Sequence, residues 1–227
     1  MTITTSGLTR AAAVAAALSG ALYILIQLIH PAEAVSSVLE DSWAIVHYLT
    51  LAMAVLGLVG VTGIYTVQVT TAGVPGLVGF LLLSGFFLAV AAYNFLEAFV
   101  LPPLAERAPE VVEDILGIFG GAPADGSLGP LEQVSVVAFA LYLLGGVTFG
   151  IAVFRARVLQ RWAGILLAAG AASTLVLPLL PHAVGRLAAV PVGLALIWLG
   201  WSLWSHERNS RPAAQGASER RLPAGVR

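Results

Sequence analysis

The chain has 227 residues, 59% hydrophobic and only 10% charged, with a mean hydropathy of +0.93 and a formal net charge of −1. Soluble domains carry about 25% charged residues, so most side chains here face lipid rather than water, and so small a net charge offers nothing to a nucleic-acid partner. Cysteine is absent, which excludes disulfides, thiolate metal sites and cysteine nucleophiles; all eleven basic residues are arginine, which excludes a retinal Schiff base, a lysine P-loop and a lysine general base.

Crossing a hydrocarbon core of about 30 Å takes about 20 helical residues. Six apolar stretches are that long, over residues 10–30, 43–67, 76–101, 131–154, 162–180 and 184–204. In lipid the backbone must satisfy its own hydrogen bonds, and unbroken runs such as Leu81-Leu82-Leu83 do not alternate as barrel strands would. The predicted fold is therefore all-α: a polytopic transmembrane bundle of about six helices over residues 1–205. Arg10, the first apolar run and Ala32-Glu33-Ala34 loosely resemble a signal peptide. That run exceeds the usual ~7–15 residues and holds Tyr23 and Gln27, so it is read as a retained helix.

Between the third and fourth stretches, Val111, Val112, Ile115, Leu116 and Phe119 take one face and Glu110, Glu113 and Asp114 the other. This spacing predicts an amphipathic helix starting near Pro109 and ending at Gly120-Gly121. It lies in the outer interface, either packed on the bundle top or acting as a lid. After Ser205 a tail rich in Pro, Ser, Arg and Ala shows no periodicity, and residues 206–227 are expected to be a disordered basic cytoplasmic segment.

Charge sets the orientation. Nine of the eleven arginines fall on one side: Arg10, Arg155, Arg157, Arg161 and those after the sixth stretch. Glu33, Glu40, Asp41, Glu106, Glu110, Glu113, Asp114, Asp125 and Glu132 fall on the other. By the positive-inside rule the arginine side is cytoplasmic, with both termini inside. Arginine without lysine, amid much Ala, Gly, Val and Leu, points to a bacterial, GC-rich source and hence to the cell (inner) membrane.

Gly57, Gly60 and Gly63 on the second stretch and Gly146 and Gly150 on the fourth would let helix backbones approach closely. Gly60-Val61-Thr62 recurs as Gly146-Val147-Thr148, a faint sign of duplicated hairpins. Trp198, Trp201 and Trp204 gather where an inner aromatic belt is expected.

Polar side chains within the spans collect in the outer half. Tyr23, Gln27 and His30 share one face of the first helix, Trp43 and His47 stand one turn apart on the second, and Tyr93, Asn94 and Glu97 lie on the third. Gln133 opens the fourth and His182 caps the fifth. Glu97 is the only acid well inside a span, where a charge is expensive and commonly functional. It is the candidate general acid or base, with His47, Asn94 and Tyr93 around it; Tyr23, Gln27, His30, Trp43, Gln133 and His182 are candidate ligand contacts. His30, His47 and His182 with Glu97 would make a three-histidine, one-carboxylate set, but no tight metal-ligand spacing supports it. No metal is assigned, and the sequence leaves any cofactor unspecified.

The run Phe149-Gly150-Ile151-Ala152-Val153-Phe154-Arg155-Ala156-Arg157, followed by Arg161-Trp162-Ala163-Gly164, resembles a signature of small actinobacterial multipass proteins grouped as a domain of unknown function. Their apolar helix, Tyr/Phe-Arg pair, short turn and Arg-Trp-Leu-Gly lead into the next helix. The Arg10–Tyr23 opening and Leu96-Glu97-Ala98 are similar too, whereas Gln160 stands where the family usually has Pro. The resemblance covers about half the chain and implies a six-helix bundle without an established activity. The length also resembles that of small membrane-bound terpene cyclases, which use intramembrane acids; those have seven helices and acids on two, against six helices and one acid here.

The reading is an integral membrane protein whose partners are the bilayer and a lipid, small apolar ligand or protein held in an outer polar pocket. An enzyme acting on a lipidic or isoprenoid substrate through Glu97 is the alternative, and a small-molecule transporter the second. Oligomeric state is not specified by the sequence.

Overall fold

The computed structural model describes residues 2–120, 126–176 and 189–219, with side chains to residue 210 in the last stretch. Among the described residues there are only helices and the turns that join them. α1 spans Thr5–Ile29 and starts where the Thr4 hydroxyl oxygen accepts from the Gly7 N–H at 3.1 Å, meeting one of the unpaired N–H groups of a helix start. The single turn α2 (Val35–Val38) leads into α3 (Asp41–Thr66). α4 (Val69–Phe95) is broken near its start at Gly73, with φ 61° and ψ −166°. Pro75 has no N–H to give and disfavours helix before it, and glycine accepts the left-handed φ at little expense. The sequence boundary at Gly76 falls just past this kink.

Beyond Phe95 the helix widens into a π-helical turn, Leu96–Val100, then resumes as α5 (Leu101–Ala105). α6 is the expected amphipathic helix, Pro109–Gly120. Its Val112, Ile115 and Leu116 are buried against Val38, Trp43, Tyr93 and Leu101, while Glu110 and Glu113 are exposed. It therefore packs on the acidic end of the bundle. A 3₁₀ turn (Gly129–Gln133) opens α7 (Val134–Ala156), which stops at Arg157 with φ 58°. α8 covers Arg161–Ser173 and α9 Ala189–Glu219.

Among the described residues, five stretches are long and apolar enough to cross a membrane: Thr5–Ile29, Asp41–Thr66, Val69–Ala105, Gly129–Ala156 and Ala189–Ser210. The fifth span read from sequence, 162–180, begins as α8, and its residues from 177 lie outside the described ones, as does the connection to α9. The backbone of α9 runs on through Pro212 and Gly216 to Glu219. Residues 220–227 lie outside the described ones.

The long helices pack in a closed ring in chain order. α1 meets α3, α3 meets α4, α4 meets α7, α7 meets α8, α8 meets α9, and α9 returns to α1. Each contact runs through glycine. The Gly60 and Gly63 Cα atoms lie against Ala16 and Ala12 of α1, Gly57 against Phe87, Gly79 against the Phe149 backbone, Gly150 against Gly164, Gly170 against Val192, and Gly193 against Gly20. The two Gly-Val-Thr copies are not equivalent, since Gly60 faces the preceding helix and Gly146 faces Ala171 of the following one. Of the most apolar window of each span, only 28–50% is buried within the protein. The remainder, including Leu81, Leu88, Val136 and Leu144, turns outward although it is just as apolar, as lipid contact requires.

At Gly150 an added methyl would strike the Gly164 carbonyl oxygen and the Ala168 backbone nitrogen, neither of which is a side chain free to move. Gly150→Ala should lose about 1–3 kcal/mol, seen as a lower Tm in detergent. Gly85→Ala, which meets only Leu141 methyls at 3.4 and 3.5 Å, should leave the Tm nearly unchanged.

Candidate functional site

The acidic end holds two separate polar groupings. The first joins α1, α3 and the π-turn. Trp43 and His47 face inward from α3, one helical turn apart, with ring centroids at 4.1 Å, and His30 packs edge-on to His47 at 5.4 Å. His47 and Trp43 are almost wholly buried and Glu97 is buried. The His47 Nδ1–H donates to the Trp43 carbonyl at 2.7 Å. A carbonyl only accepts, so the Nδ1 proton is assigned by its partner. His47 Nε2 then faces Glu97 Oε2 at 3.3 Å, within ion-pair range but without the alignment of a hydrogen bond. Imidazole and carboxyl are thus in close contact within the buried cluster.

Glu97 takes this place because of the π-turn. In a π-helix the backbone bonds run to the fifth residue rather than the fourth, and such turns concentrate at functional sites. Here the Glu97 carbonyl receives the Trp43 indole N–H at 3.0 Å. One residue thus meets α3 twice, by side chain to His47 and by backbone to Trp43. His30 lies beside its own Pro31 carbonyl at 2.9 Å and 3.6 Å from Glu33, so it closes the cluster on the side of α1.

The second grouping lies inside the ring. Tyr23 of α1 and Tyr142 of α7 come to the same interior space from opposite helices. Both border a chamber of about 350 Å³ at the acidic end that is open to the outside, with Phe86, Phe119, Ser135, Ala138, Phe139 and Thr174 as its other walls, Phe119 and Phe139 being themselves exposed. Below the tyrosines the interior narrows to about 10 Å³ among Leu83, Phe87, Leu167, Val192 and Leu196. On the outer side of α7 a groove of about 260 Å³ runs along α4, lined mainly by Ala89, Ala92, Leu96, Leu131, Val134 and Val137. Tyr93 borders the groove and Phe119 the chamber, and their rings touch edge to face with centroids at 4.5 Å. The Tyr93 hydroxyl donates to the Ile115 carbonyl at 2.8 Å, fastening α6 in place.

The sequence candidates thus divide. Trp43, His47, Glu97 and His30 meet. Tyr93 turns away to α6, and the Asn94 amide donates to the Val90 carbonyl of its own helix at 3.0 Å. Tyr23 belongs to the chamber, with half-buried Gln27 one turn further along α1. Gln133 is an exposed residue on the rim of the outer groove. His182 lies outside the described residues. Sequence reasoning missed Tyr142, Ser135 and Phe119 as wall residues. Ser135, Ala138 and Tyr142 recur at helical spacing on one face of α7, a signal hidden by the uniform apolarity around it. Among the described residues no three His, Asp or Glu side chains are grouped to hold a metal, and neither His47 nor Glu97 borders a described cavity.

The fold and its surface have the character of a multi-pass membrane protein. Comparisons with protein-family models, curated proteins and solved structures found no match to this chain.

Removing one member of a buried charge pair strands the other, typically by 3–5 kcal/mol, whereas replacing both with apolar groups is often neutral. Glu97→Leu should therefore lower stability by about 3 kcal/mol. Combining it with His47→Phe, which preserves the ring stacking on Trp43, should restore most of the loss. Thermal unfolding of the four proteins in detergent measures the coupling; additive losses would show that the two side chains do not act as a pair.

Proposed function

We propose that this protein is a non-catalytic membrane module that holds a lipid or another small, largely apolar molecule in the chamber above Tyr23 and Tyr142. The observation that carries the reading is the chamber itself. Its volume is within the range of small-molecule sites, and such sites combine mostly apolar walls with a few polar groups that orient the ligand. Here Phe86, Phe119 and Phe139 supply the apolar walls, and the phenol pair offers both a donor and an acceptor to a ligand's single polar head. The outer groove supplies a route from the bilayer, and the Tyr93–Phe119 contact stands between groove and chamber. With the arginine end in the cytoplasm of a bacterial cell, as the positive-inside rule directs, the ligand enters from the outer leaflet.

The enzyme reading has one observation in its favour: a buried histidine and carboxyl group in contact at a π-turn. A transporter needs a path to the arginine end, and the space below the tyrosines, about 10 Å³, is hardly enough for one water.

A diazirine-bearing fatty-acid analogue should label Ser135, Ala138 or Phe139 when irradiated with the purified protein. Ala138→Trp, which fills the chamber, should reduce that labelling at least about fivefold at a stability loss of no more than about 1–3 kcal/mol. Labelling confined to outward-facing residues such as Leu81 and Leu144 would reject the chamber. Lipid extracts of membranes carrying Glu97→Gln should match those carrying the native protein; disappearance of a product would favour the enzyme instead.

A further inference from the structure

The opposite end of the bundle carries a further cavity of different chemistry. A groove of about 400 Å³ lies between the α7–α8 turn and α9. Its walls include the guanidinium-bearing Arg157 and Arg161, together with Ser205, His206 and Asn209, and no carboxylate is among its lining residues. The turn is held to α9 where the Gln160 N–H donates to the buried Ser202 hydroxyl at 2.9 Å, so the two walls keep a fixed separation. Arg157 leaves α7 with φ 58°, an uncommon conformation for a side chain other than glycine. It turns the chain abruptly and brings Arg157 and Arg161 to one groove. The Arg161 guanidinium lies over Phe154 at 5.0 Å and Trp162 at 5.1 Å, which restricts its motion, and no carboxylate lines the groove to compete for its N–H edges. Trp162, Trp201 and Trp204 are exposed close by in sequence, at the level where aromatic side chains mark the membrane boundary.

We propose that this groove is a phosphate site, filled by the headgroup of an anionic membrane lipid or by a free phosphate-bearing anion. Two arginines presenting planar forks match phosphate oxygens in pairs, and His206, Ser205 and Asn209 add further polar contacts. The site lies at the other end of the bundle from the chamber, and the change in headgroup preference on removing its two arginines separates its occupant from any lipid the chamber holds.

The test is native mass spectrometry of the full chain released from nanodiscs of equal parts phosphatidylglycerol and phosphatidylcholine, with and without inorganic phosphate. The native protein should retain phosphatidylglycerol in preference to phosphatidylcholine. Arg157→Gln combined with Arg161→Gln should lower that preference at least about fivefold for each arginine, the scale of one basic residue at an anionic surface. Asn209→Asp, at an exposed helical position that folding does not need, should lower it as well by placing a carboxylate in the groove. Arg155→Gln, exposed at the same end but outside the groove, should leave it intact. Protection by inorganic phosphate against thermal unfolding, lost in the double variant and without lipid preference, would identify a free anion as the occupant. Equal retention by the native and double-variant proteins with no phosphate protection, or an equal loss in Arg155→Gln, would overturn the proposal.

Discussion

Close approach of helices at glycine is the contact on which this bundle depends. In lipid, apolar surface gains nothing by leaving its surroundings, so helices associate through close van der Waals packing and whatever hydrogen bonds they share. All six joints of the ring contain such a contact, from Gly60 on Ala16 to Gly193 on Gly20. The GxxxG pair of α7 is occupied inside the molecule: Gly150 meets Gly164 and Gly146 meets Ala171. With its glycines turned inward, the ring leaves leucine, valine and phenylalanine for its outer surface, and the same allocation that packs the helices also suits them to the bilayer.

That closure leaves the two ends to differ in character. At the acidic end, α6 and the aromatic cluster around Trp43 form a second small core, tied to the ring by Tyr93, Trp43 and the His47–Glu97 pair. Their hydrogen bonds end on backbone carbonyls, of Ile115, Glu97 and Trp43 respectively. Side chains are thus used to fix the relative positions of chain segments that glycine packing alone would leave free to slide. At the arginine end the links are fewer, with Ser202 holding the α7–α8 turn and Arg10 lying over the Trp204 ring at 5.3 Å.

Much of this was legible in the sequence, because long apolar runs and the segregation of arginine from acid are properties of consecutive residues. The amphipathic α6 was legible for the same reason: Val112, Ile115 and Leu116 repeat at helical spacing. The meeting of Trp43 and His47 reflects their separation by one turn. Their meeting with Glu97 depended on a tertiary contact, but polarity in an apolar span pointed to all three. What local pattern did not carry was direction within a uniformly apolar helix. Tyr93 and Glu97, four residues apart, were expected to share a site; the π-turn and α6 send one to Ile115 and the other to His47. Tyr142 drew no notice because a tyrosine amid leucines has no local sign of sharing an interior space with another tyrosine on α1. The break at Gly73 and the left-handed Arg157 depend on how neighbouring helices fix the ends of short turns, which single residues do not announce.

The widened turn at Leu96–Val100 behaves as one residue too many in an otherwise regular helix. Each residue advances an α-helix by about 100°, so the segment beyond the turn is rotated by nearly a third of a circle relative to an unbroken continuation. That offset allows Leu101 and Ala105 to lie in the small core while Tyr93 and Asn94 keep their places earlier on the same rod. A chain shortened by one position here would regain ordinary helix geometry and, in doing so, swing the whole approach to α6 around the axis. In this stretch the number of residues, more than their identities, determines which way the end of the rod faces.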